Sequence, residues 1–243
     1  MIKIFAITDI GNHREINQDG YYVNGISSSG ELWEEDVTEI YGDNALIAVA
    51  DGVGGTEDGV FAVECCIDYF QENPFKTDFK LIGYVNDVNN WIKKKSLEMN
   101  IDTGTTIAGL LVKNGEKIVF NVGDSEVFAV NSNGLEKLSV DDNTAELFKD
   151  AKILSDGVIA VKSPLTQCLG KSEVLENIHK KTVYNEKFLI CTDGLTDMLS
   201  AESIFQILNS GNSIEENGRN LVAEAKKNGG FDNITLILIS EEE

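Results

Sequence analysis

Proline, cysteine and histidine are all scarce in this chain, with two, four and two residues respectively among 243. So little proline leaves no room for a proline-rich linker. Cys65, Cys66, Cys168 and Cys191 lie in apolar or helical contexts. None has the paired spacing of a zinc site, and adjacent Cys65 and Cys66 make a poor disulfide framework, so buried, reduced thiols are expected. His13 and His179 read as surface residues rather than catalysts. Positive charge is also short, with 20 Lys and Arg against 41 Asp and Glu, a formal net charge of -21. That balance excludes nucleic acid and anionic membranes as partners. It would also repel a phosphorylated substrate unless bound cations changed the local sign. No apolar run approaches the roughly 18 residues of a membrane span. Met1 to Phe5 enters a strand-like pattern directly, without a signal-peptide layout. A soluble, cytoplasmic protein is expected.

The stretch Ala45-Leu46-Ile47-Ala48-Val49-Ala50-Asp51-Gly52-Val53-Gly54-Gly55 organises the rest. Small and branched apolar residues read as a buried strand. A strand of this kind that delivers an Asp to its end holds a charge that must be paired or bind a metal. The following glycines let the backbone come close, so a main-chain carbonyl can act as a further oxygen ligand. A hairpin turn is the competing reading, because Asp-Gly is a common turn pair and recurs at Asp19, Asp58, Asp156 and Asp193.

Upstream, Ile2 to Thr8 alternates like a strand, a polar loop carries Arg14 and Asp19, and Tyr21 to Val23 is a second strand. Residues 25–43 read as an exposed hairpin loop or insertion. Val60, Val63, Ile67 and Phe70 recur at helical spacing until Pro74, and a second helix spans about 80–99. Thr106 to Val112 and Lys117 to Val122 flank Asn114-Gly115, a type I′ hairpin signal. Glu126 to Asn131 and Leu135 to Val140 flank a second one, Asn133-Gly134. Two consecutive hairpins predict an antiparallel meander. A short helix is expected near 143–150, strands at 176–184 and 187–192, and helices near 200–209 and 214–228. The last of these helices opens with Ser213 and Glu216 at capping-box spacing. The strand Ile234 to Ile239 closes an α+β domain of two packed antiparallel sheets with helices outside. No linker divides the chain, so residues 1–243 are expected to form one domain.

The Asp51 pattern repeats. Phe188 to Asp193 is another apolar strand ending in Asp-Gly, with Asp197 one helical turn on. Asp124 ends a third strand, Asp232 precedes the last strand, and Asp19 precedes Tyr21. Carboxylates at five strand ends, plus Asp197, are hard to explain as turns alone. Converging acids need cations between them. Oxygen ligands without His or Cys suit Mg²⁺ or Mn²⁺. Two such ions roughly 3.5–4 Å apart can share a hydroxide and stabilise an in-line displacement at phosphorus. Arg14 could hold the phosphate bidentately. Hydrolysis of a phosphate ester is the chemistry indicated.

The chain resembles the metal-dependent serine/threonine protein phosphatases of type 2C, the PPM family, in their compact bacterial form. The matching stretches are Arg14 with Asn17-Gln18-Asp19, Val49 to Gly55, Asp102 to Thr106, Asn121 to Ser125, Leu165 to Gly170, Cys191 to Asp197 and Gly230 to Thr235. They fall in the family's order and cover almost the whole chain. The resemblance implies a four-layer α-β-β-α sandwich. It implies Asp51 as the ligand bridging two metals, Gly52 as a carbonyl ligand, Asp193 and Asp232 completing the first site, and Asp19 near the second. Asp124, Asp193 and Asp197 would form a third, weaker site, and Arg14 would bind substrate phosphate. Mg²⁺ or Mn²⁺ is the implied cofactor. The implied partners are phosphorylated proteins in bacterial signalling and a cognate Ser/Thr kinase, and a monomer is expected. The segment 141–165 lies where the family has its flap.

Three positions depart from the pattern. Gln18 stands where many members have a Glu ligand, Val53 where eukaryotic members carry a histidine proposed as general acid, and Glu126 where an Arg is usual. With Val53, protonation of the leaving group must fall to water. The change at Glu126 is expected to alter a structural ion pair rather than the chemistry. Two other readings are a non-catalytic phosphoprotein-binding module on the same fold and a phosphatase dedicated to one regulatory partner. The intact Asp51, Asp193 and Asp232 speak against the first, and the lack of sensory or membrane segments against the second.

Overall fold

The computed structural model describes residues 2–29, 33–35, 44–53, 57–76, 78–146 and 163–241. In chain order come β1 (Ile2–Asp9), β2 (Asp19–Val23), β3 (Ile26–Ser29), β4 (Trp33–Glu35) and β5 (Asn44–Val53), then helices α1 (Glu57–Glu72) and α2 (Leu81–Met99). Next are β6 (Gly104–Thr105), β7 (Ile107–Lys113), β8 (Glu116–Val122), β9 (Glu126–Asn131), β10 (Gly134–Lys137), β11 (His179–Val183) and β12 (Lys187–Cys191). Helices α3 (Asp193–Thr196), α4 (Ala201–Leu208) and α5 (Ile214–Lys227) lead to β13 (Ile234–Glu241).

The strands form two sheets, ordered β10-β9-β12-β13-β1-β4 and β11-β8-β7-β5-β2-β3, with β6 paired to β5. Every strand pair is antiparallel. Side chains alternate between two buried faces. On β13, Ile237 and Ile239 join the core between the sheets, while Leu236 and Leu238 join the core beneath α4 and α5. On β5, Ile47 and Val49 face inward, whereas Leu46 and Ala48 pack with Phe70, Tyr84 and Val88 of α1 and α2. Strands covered on both faces show no polar alternation, which is why these stretches read as unbroken apolar runs. Three apolar layers therefore separate four layers of secondary structure. Truncating fully buried Phe120 or Phe188 to Ala would cost about 3–5 kcal/mol.

Local signals account for most boundaries. The helix ending before Pro74 runs to Glu72, and α5 carries the capping box expected of Ser213 and Glu216. Asn114 (φ 52°) and Gly115 (φ 78°) both adopt positive φ between β7 and β8, as a type I′ turn requires. At the second hairpin only Gly134 has positive φ, and β9 ends at Asn131, so Ser132 and Asn133 form the corner instead.

Two expectations need correction. The consecutive hairpins are not a meander, because β7 and β8 lie in one sheet and β9 and β10 in the other. The chain changes sheets at Gly123, whose φ of 100° and whose lack of a Cβ beside Thr106 permit the turn. The described part of residues 25–43 is also more than a loop: β3 pairs with β2, and β4 pairs with β1 at the edge of the opposite sheet, while residues 30–32 and 36–43 lie outside the described residues. The expected helix near 143–150 begins at residues 144–146 and otherwise lies outside the described residues, as does most of the segment 141–165. Trp91 packs against the α1–α2 core, with Lys95 Nζ 4.7 Å from its ring centroid. All four cysteines are free and buried. No helix among the described residues is long and apolar enough to cross a membrane.

Candidate active site

The starts of β2 and β13 and the ends of β5 and β12 meet along one edge of the sandwich. Asp19 and Asp51 sit directly opposite each other on β2 and β5. Two like charges at such a pair repel. Asp193 opens α3 directly after β12, and Asp232 precedes β13. Backbone contact locks these two segments together, since a Cβ on Gly194 would come within 1.8 Å of the Asn233 carbonyl oxygen. A cavity of about 310 Å³ is lined by Arg14, Gln18, Asp51, Gly52, Asp124, Asp193 and Asp232, with Ser163, Pro164 and Leu165 on one wall. Val53, Thr106 and Asn233 complete the lining.

Asp19 lies beneath this cleft, buried, and accepts a hydrogen bond from Thr192 Oγ1 at 2.8 Å. Burial raises its pKa to about 7, against the hydrogen bonds from Thr192 and Thr235, and Asp193 and Asp232 add to the rise. Asp51 is pushed well above the ordinary carboxylate range, first by burial and then by Asp19, Asp193, Asp124 and Asp232. Among the described residues, Arg14 answers these acids: its Nη2 lies 2.7 Å from Asp232 Oδ2. That bond raises the guanidinium pKa further, against the opposing effect of burial.

The chemistry of the donors fits divalent cations, because hard oxygen ligands with excess negative charge are what Mg²⁺ and Mn²⁺ take. Among the described residues, no group of three or more His, Cys, Asp or Glu side chains is placed to hold an ion as it stands. Asp193 and Asp232 nonetheless raise the pKa values of both Asp19 and Asp51, and Asp19 adds to the rise at Asp51. Donor type and repulsion carry the fit, not ready-made spacing. Gly52 sits in close backbone contact: its N–H donates to the Gln18 carbonyl at 2.9 Å, and a Cβ would lie 2.5 Å from the Gly59 oxygen. Asp197 differs from the others. It is exposed, one turn after Asp193, and is not among the residues lining the cleft.

A family model described as protein phosphatase 2C matches residues 29–224. The chain belongs to the protein phosphatase 2C family. Protein phosphatase PhpP of Streptococcus pneumoniae is 26% identical over 260 residues, covering 100% of this chain and 98% of that protein. The solved structure of the S. agalactiae serine/threonine phosphatase matches with a TM-score of 0.83 at 25% identity, covering all of both chains. The catalytic domain of the serine/threonine protein phosphatase PstP, solved in complex with two manganese ions, has the same fold, with a TM-score of 0.75 at 21% identity and 99% coverage of each chain. These likenesses bear out the two-sheet α-β-β-α architecture.

Several residues that shape this type 2C cleft carried no role in the sequence reading. Thr106 Oγ1 accepts from Asp51 N–H at 3.1 Å, and Thr106 N–H and Thr105 Oγ1 both donate to the Asp51 carbonyl, at 2.8 and 3.0 Å. The Thr pair therefore fixes the peptide on either side of the Asp51 side chain. Asn233 Oδ1 accepts from Gln18 N–H at 2.8 Å, while its Nδ2 donates to the carbonyls of Ile10 and Ile16. Asn12 anchors the same loop to the carbonyls of Lys226 and Gly229. Arg14 thus projects from a loop sewn onto the start of β13. Both threonines and Asn233 fall inside the family stretches quoted above, which was the available signal.

The departure at Glu126 has a local explanation. Lys137 Nζ bridges Glu126 and Asp141, the latter at 2.7 Å, so a cation is supplied from β10 where the family pattern places an Arg on β9. His13 is exposed and stacks on Phe231, with ring centroids 4.8 Å apart. His179 is not simply a surface residue, for its Nε2 lies 2.9 Å from Asp142 Oδ1.

Proposed function

We propose that this protein hydrolyses phosphoserine and phosphothreonine in other proteins, in the cleft between Arg14 and the acids Asp19, Asp51, Asp193 and Asp232. The observation carrying this reading is that cluster: four acids at converging strand ends beside one guanidinium. Asp51, Asp193, Asp232 and the Gly52 carbonyl would hold two Mg²⁺ or Mn²⁺ ions, with Asp19 close by and Asp124, Asp193 and Asp197 offering a weaker third site. Bound ions would neutralise the cluster, admit a phosphate dianion, and supply Lewis-acid activation of water.

The chain's own residues then divide the work. Asp51 is presented to the cleft with its backbone fixed by Thr105 and Thr106. Arg14, held beside Asp232, offers a planar fork that can receive two phosphate oxygens. Gln18 lines the cleft as a neutral amide where a further carboxylate would add charge. Val53 lines it without a titratable proton, so the leaving serine or threonine oxygen takes its proton from water. We take the chain as one catalytic domain acting as a monomer against the products of a cognate kinase. A binding module without turnover is the weaker reading, because the acid cluster is intact and a mere phosphate binder would keep cations instead.

Hydrolysis of p-nitrophenyl phosphate in EDTA, and then with Mn²⁺ or Mg²⁺, tests this on wild type and Asp193→Ala. Metal-dependent turnover lost in the variant is expected. A folded wild type that turns over nothing with either metal would sink the enzyme reading.

A further inference from the structure

Asp142 lies outside the acid cluster and outside the stretches that carry the family resemblance, yet it holds both walls of the cleft. Its Oδ2 accepts from Gly123 N–H at 2.9 Å and from Gln167 Nε2 at 3.1 Å, and its Oδ1 faces His179 Nε2 at 2.9 Å. Its backbone works in the same direction: Asp142 N–H donates to the Gly123 carbonyl at 3.0 Å, and its carbonyl accepts from Thr166 N–H at 2.8 Å. Gly123 immediately precedes Asp124, and Thr166 immediately follows Leu165, two residues on the cleft lining. Asn143 bridges to Leu165, and Ser163 Oγ accepts from Ala145 N–H at 2.7 Å, extending the same junction.

His179 completes the clamp from a strand. It pairs in register with Asn121 of β8, and Asn121 donates to the carbonyls of Gly123 and Val140. Gln167 is locked in turn, donating to the Asn177 carbonyl at 2.6 Å and accepting from Glu176 N–H at 2.6 Å. A carboxylate that takes three donors while only 11% exposed is costly to replace, since each orphaned donor carries a desolvation penalty.

We propose that Asp142 is a positioning residue: through Gly123 it fixes where Asp124 stands relative to the Ser163–Leu165 wall, and His179 holds it in place. The inference rests on the reading of Asp124 as a ligand of the weaker metal site. It concerns the placing of Asp124, not chemistry at Asp142 itself.

Calorimetric titration of the metal-free protein with Mn²⁺ tests it, with thermal stability measured alongside. Asp142→Ala removes every side-chain acceptor, and the weakest Mn²⁺ site should lose about tenfold in affinity, while tighter sites change less than about threefold. Asp142→Asn keeps an oxygen for Gly123 N–H and should rescue that site to within about threefold of wild type. His179→Ala should weaken it by about threefold. A purely structural role would lower the melting temperature and leave the ratio between sites unchanged. Wild-type affinity at the weakest site in Asp142→Ala would overturn the proposal, as would equal damage from Ala and Asn. Should Asp142→Ala not fold, His179→Ala decides: an unchanged weakest site overturns the proposal. Wild type that takes up no Mn²⁺ at all would instead bring down the phosphatase reading, and this inference with it.

Discussion

The Arg14 guanidinium stands 2.7 Å from the carboxylate of Asp232. One pair thus joins the group proposed to grip phosphate with a group proposed to grip metal. The arginine is still 44% exposed, so it can swing from the acid toward an incoming dianion. A cation at Asp232 would compete with the guanidinium for the same oxygen and free it for substrate.

Removing that arginine should separate the two roles. Arg14→Ala is expected to lower kcat/KM for a phosphopeptide by about 10²-fold, the scale of a lost charge-assisted contact. Arg14→Lys should fall between, because an ammonium cannot reproduce the fork. Mn²⁺ affinity should stay the same or rise in Arg14→Ala, since the competitor at Asp232 is gone. Steady-state kinetics beside calorimetry make the comparison, and weaker Mn²⁺ binding in the alanine variant would contradict this account.

Asp19 predicts an unusual pH dependence for the metal-free protein. Its pKa is raised in the fold from 3.8 to about 7, chiefly by burial. The folded state therefore binds more protons than the unfolded state between those values, and stability falls as pH rises through that window. Asp51 shifts in the same direction. In EDTA the melting temperature should drop by about 5 °C between pH 5 and pH 7.5, at about 2–4 °C per kcal/mol. Excess Mn²⁺ should shrink the drop, and Asp19→Asn should flatten it. Calorimetry across that range checks this; a melting temperature that climbs with pH in EDTA would count against it.

The thiols should be silent in the native protein. Burial pushes Cys65 up to about 11, and it raises Cys66, Cys168 and Cys191 as well. Thiolate is the reactive form, so an aromatic disulfide reagent should label none of the four at pH 8 on the timescale of a denatured control. Denaturant should release all four. Rapid native labelling of any cysteine would mean that its layer opens readily.

What the sequence made legible follows from how local each signal was. Strands that end in an acid announce themselves, because a buried apolar run and an abrupt carboxylate are adjacent in the chain. Asp51 and Asp193 could be found that way, and Asp19 and Asp232 by the mirror pattern, an acid just ahead of an apolar run. The two hairpins were equally local, but a turn signal does not say which sheet receives the strands, so the crossing at Gly123 stayed hidden. β4 has three residues, too few for a period to show. The Asp142–His179 pair spans 37 positions, and neither residue type has a pattern that points to the other. Lys137 replaces the cation missing at Glu126 only because β10 folds back beside β9, a relation no spacing rule contains.

Two glycines make a matched test of how tightly the cleft is built. Gly83 lies in α2 with nothing within 4 Å of a built Cβ. Gly83→Ala should therefore stabilise the protein by about 0.5–1 kcal/mol through helix propensity alone. At Gly194 the same methyl would sit 1.8 Å from the Asn233 carbonyl oxygen, a backbone atom that cannot rotate aside. Overpacking of this kind costs about 1–3 kcal/mol, and more where backbone must move. The displacement also has somewhere to go. Asn233 holds Gln18 and the carbonyls of Ile10 and Ile16, so a shift there reaches the Arg14 loop as well as Asp193 and Asp232. Gly194→Ala should therefore lower the urea midpoint and lose most activity, while Gly83→Ala raises the midpoint and keeps activity. A Gly194→Ala protein with wild-type turnover would show that the joint between β12 and β13 is looser than its contacts imply.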